Sequence, residues 1–319
     1  MKLSEFYRAA IAAGMANDPR GKEAVDDDLA QAKKRFDGLS GKEKEFFDAE
    51  SLTNPYSDSR ILAGTGQEEI ASLLVGIDIE PAEVLLADRL RSQGRKVDLV
   101  LGHHPAGRAL AALADVMKMQ ADILNRMGVP ISTAEALLDD RMKQVERRLM
   151  PGNHTRAPDA ARLLGLPMMC LHTPCDNMVH TFLCRLVDKE RPRRVSDVVD
   201  LLYSVPEYQD GARNGAGPSV VLGSKSHKAG KVFVDMTGGT SGSKDIFKSM
   251  STSGIDTIVC MHISDEHRDE AKKAHINVVI AGHIASDTLG VNLLLDEVAK
   301  AAGHPLDVIE CSGFKRHAR

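Results

Sequence analysis

From Ala71 onward, short apolar runs alternate with segments of helical period. Ala71–Ile77, Val97–Leu101, Pro167–Leu171, Ser219–Leu222, Lys231–Asp235, Thr257–Met261, Asn277–Ile280 and Leu306–Ile309 read as strands. Between them, Pro81–Gln93, Arg108–Met127, Ser132–Leu149, Pro158–Leu164 and Asn177–Val187 read as helices, the first opened by a proline whose fixed φ suits a first helical turn. Strands joined through helices form a parallel or mixed sheet with helices on its faces, because a parallel crossover needs the length that a helix supplies. The expected class is α/β.

Residues 1–66 follow a different pattern. Leu3, Phe6, Tyr7, Ala10 and Ile11 recur at helical spacing. Ser40-Gly41-Lys42-Glu43 is a capping-box sequence, expected to open a helix that carries Phe46 and Phe47. Asn54-Pro55-Tyr56-Ser57-Asp58 is turn chemistry that closes the segment. The expectation is a helical extension packed on the main body or on a neighbouring subunit. Residues 204–230, with several Gly and Pro, are the expected lobe boundary or surface loop.

Composition narrows the function. Aromatic residues are 4% of the chain and Trp is absent, so the core must be aliphatic and few rings remain for stacking bases. A net charge of -4 leaves no electrostatic footprint for nucleic acid or an anionic membrane. The five cysteines are scattered and form no CxxC pair, as expected of reduced thiols in the cytoplasm. The N-terminal apolar stretch is broken by Glu5, Arg8 and Asn17, unlike a signal peptide, and no run approaches bilayer-spanning length.

Reactive groups in open α/β sheets gather at the carboxyl ends of strands. Three polar clusters stand there. Gly102-His103-His104-Pro105 follows one strand, and a turn can bring both imidazoles toward one point. His172-Thr173-Pro174-Cys175-Asp176 follows another, where Asp176 is a helix N-cap or a ligand, and His172 and Cys175 are ligands or structural residues. His283 and Asp287 follow a third and, four apart, share one helix face. Each cluster alone fits ordinary turn and capping roles. Together, three imidazoles and two carboxylates suit Zn, Fe, Mn, Co or Ni better than Ca or Mg, and five ligands exceed what one catalytic zinc needs. A bridging carboxylate would allow two divalent cations.

Met236-Thr237-Gly238-Gly239-Thr240-Ser241-Gly242-Ser243-Lys244 runs from a strand into a helix. It lacks the Walker A spacing, since Ser243 separates Gly242 from Lys244, and it has no G-x-G-x-x-G register. What remains is a tight turn or, at Gly238, Gly239 and Thr240, a backbone anion site. Asp78 reads as a helix cap, His262 as a cavity-lining imidazole, and Met117, Met119 and Met127 as core.

The ordered set Leu73-Leu74-Val75-Gly76-Ile77-Asp78, Asp98-Leu99-Val100-Leu101-Gly102-His103-His104-Pro105, His172-Thr173-Pro174-Cys175-Asp176 and Ala281-Gly282-His283-Ile284-Ala285-Ser286-Asp287 resembles the NIF-three-like family, whose bacterial members are catalogued as GTP cyclohydrolase type 2 homologues. The resemblance runs from about Ile70 to Phe314. It implies two interlinked α/β lobes over residues 67–315, a dinuclear site between them, and a ring-like homohexamer. It assigns His103, His104, Asp176, His283 and Asp287 as metal ligands. The family usually carries Glu at the last of these positions, and Asp287 is one methylene shorter.

The expected activity is a metal-dependent hydrolase acting on a nucleotide-like or phosphate-bearing small molecule. His262 or His172 would shuttle protons, since imidazoles titrate near neutral pH. The resemblance suggests opening of the purine ring of GTP. A phosphate-ester hydrolase, and a non-enzymatic metal-binding or partner-binding scaffold, are the alternatives.

Overall fold

The computed structural model describes residues 1–319. Nine strands form two sheets. They are β1 (Arg60–Ala63), β2 (Ser72–Gly76), β3 (Leu99–Gly102), β4 (Met168–Cys170), β5 (Ser219–Leu222), β6 (Lys231–Asp235), β7 (Ile255–Cys260), β8 (Asn277–Ile280) and β9 (Asp307–Glu310). The first sheet has the order β1-β4-β3-β2-β9 and the second β5-β8-β7-β6. Each is parallel apart from one antiparallel edge strand, β1 on β4 and β5 on β8. The chain leaves the first sheet after β4, builds the second, and returns through β9 to pair with β2. This is the α/β architecture of two interlinked lobes expected from the sequence.

Register aligns the carboxyl ends. Gly76 pairs with Gly102, and Gly102 with Cys170, so the segments after β2, β3 and β4 leave the first sheet side by side. Asp235 pairs with Cys260, and Cys260 with Ile280, which does the same for the second sheet.

The helix Leu3–Ala16 buries Leu3, Phe6, Tyr7, Ala10 and Ile11, the stripe that the spacing predicts. Each large apolar side chain buried this way contributes about 1.5–3 kcal/mol. It packs on the helices Thr173–Glu190 and His283–Ala302. The crossings are close. A Cβ on Gly14 would lie 2.7 Å from Pro174 Cα, and one on Gly290 would lie 2.6 Å from the Cys175 carbonyl oxygen.

Several elements differ from expectation. Residues 60–63, inside the segment read as helical, form β1, because Arg60 and Ile61 pair with Cys170 and Met169. The Ser40 capping box forms, but its helix is only Gly41–Glu45. Phe46 and Phe47 lie past its end, where Phe47 packs on Phe36 with ring centroids 5.1 Å apart. Arg108–Met127 is broken into Gly107–Ala111, Leu113–Val116 and Met119–Arg126. At the first break, the Ala112 carbonyl accepts a hydrogen bond from Ser57 Oγ at 2.8 Å. The 204–230 stretch is not one loop: it contains the helix Pro206–Arg213, with Glu207 and Tyr208 buried, and β5. No helix is long and apolar enough to cross a membrane.

Candidate metal centre

Past the end of β3, the backbone N–H of His103 and that of His104 both donate to the Ile77 carbonyl, at 3.2 and 2.9 Å. This turn sets the two imidazoles 5.2 Å apart, centroid to centroid. Past β4, His172 takes the N-cap position of the helix Thr173–Glu190, so Asp176 lies within the first turns and is not the N-cap. The helix begins four residues earlier than its periodicity suggests because Pro174 fits its first turn. Past β8, Gly282 adopts φ 114°, and a Cβ there would lie 2.9 Å from the Ala216 carbonyl oxygen. Glycine is required at this helix start. His283 then opens the helix, and its Nε2 lies 3.5 Å from Asp287 Oδ2.

All five expected ligands converge. His103 Nε2 is 3.5 Å from both Asp176 Oδ1 and Asp287 Oδ1. His104 Nε2 is 3.4 Å from Asp287 Oδ2. His172 joins them, with Nε2 3.7 Å from Asp176 Oδ2 and its ring centroid 4.9 Å from that of His103. Three overlapping trios have donor atoms within 4.8 Å of one another: His103, His104 and His172; His104, His283 and Asp287; His103, Asp176 and Asp287.

Three of the imidazoles are oriented from behind. His103 Nδ1 faces the Leu171 carbonyl at 3.2 Å, His104 Nδ1 faces Asp78 Oδ1 at 2.7 Å, and His172 Nδ1 faces Asp58 Oδ2 at 2.8 Å. A carbonyl or carboxylate oxygen only accepts, so each Nδ1 carries a proton and each Nε2 faces the cluster. Burial opposes charge on His172, but Asp176 and Asp58 push its imidazole up to about 9, so a metal bound there would displace a proton. Asp58 lies in a stretch of turn chemistry that gives no local sign of this contact. Asp78 is not the expected helix cap, since Glu80 caps that helix.

The electrostatics fit a cation. His103 Nε2, Asp176 Oδ1 and both carboxylate oxygens of Asp287 are buried without a hydrogen-bond partner. Asp287 is fully buried, and an unpaired buried carboxylate is strongly disfavoured. At 3.4–3.5 Å, a proton or a metal cation can lie between these imidazole nitrogens and the Asp287 oxygens. Two donors each about 2 Å from a tetrahedral ion are about 3.3 Å apart. Burial pushes the His103 imidazole down to about 4, which keeps it neutral and able to ligate. Burial pushes the Asp176 carboxyl up to about 8. Burial also opposes charge on Asp287, but His103, His104 and His283 together hold it below the usual carboxylate range. These buried His and Asp groups can hold a metal ion.

A cavity of about 360 Å³ opens beside the cluster, lined by His104, His172, Asp176 and His283 at one end and mostly by apolar side chains elsewhere. His262 lines it, exposed, with its ring 4.8 Å from that of His283. Gly239 and Thr240 line it too, while the Gly238 carbonyl accepts a hydrogen bond from Gln120 Nε2 at 2.6 Å. Gly238 adopts φ 104°, and a Cβ there would lie 2.6 Å from Gln120 Cγ, so backbone conformation and packing explain that glycine. Cys175 is buried among apolar neighbours, as are Met117 and Met119, while Met127 packs partly buried against the core. His154 makes a turn contact to the Leu149 carbonyl at 2.9 Å.

No family model matches the chain, and no curated protein matches it. Solved structures do. A NIF3 superfamily protein from Sphaerobacter thermophilus is 27% identical, with 81% of this chain and 91% of that one covered and a TM-score of 0.70. Reduced HcgD from Methanocaldococcus jannaschii is 16% identical over 84% of this chain and 94% of that one, with a TM-score of 0.48. A Bacillus cereus protein related to NIF3 is 11% identical over 80% and 91%, with a TM-score of 0.40. The sequence motifs, the two interlinked sheets and the Sphaerobacter structure agree on one conclusion: the chain has the NIF3-like fold.

Proposed function

We propose that this protein is a metal-dependent hydrolase with a two-cation centre, acting on a nucleotide-like or phosphate-bearing small molecule. The observation that carries the reading is the convergence of four buried, partnerless polar atoms, on His103, Asp176 and Asp287, at the end of a cavity of ligand size. His103, His104, Asp176, His283 and Asp287 would hold the cations, which are Zn, Fe, Mn, Co or Ni by donor type. His172, oriented by Asp58, is placed to be a sixth donor.

Divalent cations in such a site polarise a substrate oxygen or carbon and lower the pKa of a water molecule. The protein supplies the rest. Asp58 and Asp78 fix the tautomers of His172 and His104. The apolar cavity walls exclude water from the body of the substrate. His262, free of hydrogen bonds and facing the cavity, can accept or return a proton at a ring nitrogen. No Lys or Arg lines the cavity, so a phosphate would sit at the cation centre or against the turn at Gly239 and Thr240. GTP ring opening is the specific reaction that the family resemblance suggests. Assembly into a ring of like subunits rests on the same resemblance.

The test is metal analysis followed by a substrate panel. Purified protein loaded with Zn, Mn or Fe should contain up to two ions per subunit. It should turn over a member of a panel of nucleotides, GTP included, and phosphodiesters. Asp176→Ala should abolish that turnover with folding intact. A silent panel with full metal content would favour the scaffold alternative. Light scattering measures the assembly.

A further inference from the structure

The floor of the cavity is one face of the second sheet. Side chains alternate along a strand, so Phe233 and Asp235 of β6 share a face. Ile258 and Cys260 of β7 pair with them, Phe233 with Ile258 and Asp235 with Cys260, and all four line the cavity. Phe233, Ile258 and Cys260 are buried apolar residues, as the core face of a strand requires. Asp235 breaks that pattern with a carboxylate.

No hydrogen bond or ion pair neutralises it. Asp235 neither donates nor accepts in any side-chain contact, and no Lys or Arg lines the cavity. Its side chain is exposed into the cavity, and the protein packed around it pushes its carboxyl up to about 6. Its strand neighbour across the ladder, Cys260, offers only a weak donor. The carboxylate makes no side-chain contact that would give it a structural role, and it faces a cavity lined largely by apolar side chains. An anion held in a mostly apolar chamber is a recognition device for a cationic partner.

We propose that Asp235 is a specificity-determining residue that binds an ammonium or amidinium group on a ligand whose apolar body fills this cavity. The same ligand would reach the cation centre with its opposite end. That second contact rests on the hydrolase reading above, while the amine contact stands without it.

The experiment uses the full-length protein, chelated and then metal-loaded, with hexylamine, 1-hexanol and hexanoate as probes read by calorimetry or NMR. In the chelated protein, hexylamine should bind about tenfold or more tighter than 1-hexanol, the size of one charge-assisted hydrogen bond. Hexanoate should bind weakest. Asp235→Asn should remove the preference for the amine while leaving 1-hexanol affinity and metal content unchanged. Equal affinities for hexylamine and 1-hexanol in the unmodified protein would overturn the proposal, as would an amine preference that survives in Asp235→Asn. Because the chelated protein carries the test, a failed hydrolase assay does not move it. Failure of the amine preference likewise leaves the metal reading intact.

Discussion

Asp58 Oδ2 accepts hydrogen bonds from His172 Nδ1 at 2.8 Å and from Thr173 Oγ1 at 2.6 Å, although 114 residues separate the first pair. The contact ties the segment before β1 to the start of a ligand-bearing helix and fixes which nitrogen of His172 faces the cluster. Asp58→Ala would free the imidazole to rotate and change tautomer. We expect metal affinity to fall by about 10–100-fold, as for other groups that orient a ligand from behind. A competition titration against a fluorescent chelator measures it. Unchanged affinity would remove His172 from the centre.

Asp287 lies within 3.5 Å of the imidazoles of His103, His104 and His283, so it links three of the expected ligands. Adding Zn at about 100 times its Kd should stabilise the fold by about 2.7 kcal/mol, read as a rise in Tm that EDTA reverses. Asp287→Leu should lower the Tm of the chelated protein, because His103, His104 and His283 lose the carboxylate they surround at 3.4–3.5 Å. It should also erase the zinc-dependent rise. A variant that keeps the zinc shift would show that the cations lie elsewhere.

The strands were legible because each is a short apolar run between polar turns, and eight of the nine fall where the runs place them. Strand β1 was not, since Arg60-Ile61-Leu62-Ala63 is brief and begins with a charged residue whose burial depends on Asp48, at 2.6 Å from Arg60 Nη2. The three histidine ligands were visible just after strands, and Asp176 and Asp287 in the opening turns of the helices that follow. Asp58 could not be read, because nothing local distinguishes an Asp that closes a turn from one that reaches a histidine more than a hundred residues away. Asp235 hid for a different reason: a charged residue at a strand end gives no sign in the sequence that a cavity opens in front of it.

Asp210 gives the fold a sign-specific dependence on acid. Lys315 Nζ lies 2.8 Å from its carboxylate, His317 Nε2 lies at 2.8 Å, and Arg213 completes the group. Lys315 first, then His317 and Arg213, hold the Asp210 carboxyl down at about 2. An unfolded Asp titrates near 3.9. A depressed folded value contributes stability above the unfolded pKa, and this is lost as pH falls through the folded one. The stability difference between the unmodified protein and Asp210→Asn, from urea unfolding, should therefore be constant from pH 7 to about 5. It should shrink between pH 4 and 2. A difference that grows on acidification would contradict the pairing.

Gly290 tests whether the approach of two helices sets the metal geometry. Its missing side chain lets the helix His283–Ala302 lie against the helix Thr173–Glu190, where a Cβ would come 2.6 Å from the Cys175 carbonyl oxygen and 2.8 Å from Val179 Cγ2. Asp176 follows Cys175 directly, and Asp287 is one turn before Gly290, so a separation here is felt at both carboxylates. Gly290 is helical, without a positive φ, so Gly290→Ala adds volume and not backbone strain. Overpacking of this kind costs about 1–3 kcal/mol, offset in part by the better helix propensity of Ala, about 1 kcal/mol. We expect a lower Tm together with weaker metal binding, measured on the same sample. A lower Tm with unchanged affinity would mean that the ligands are positioned by their own turns and not by the packing of the helices that carry them.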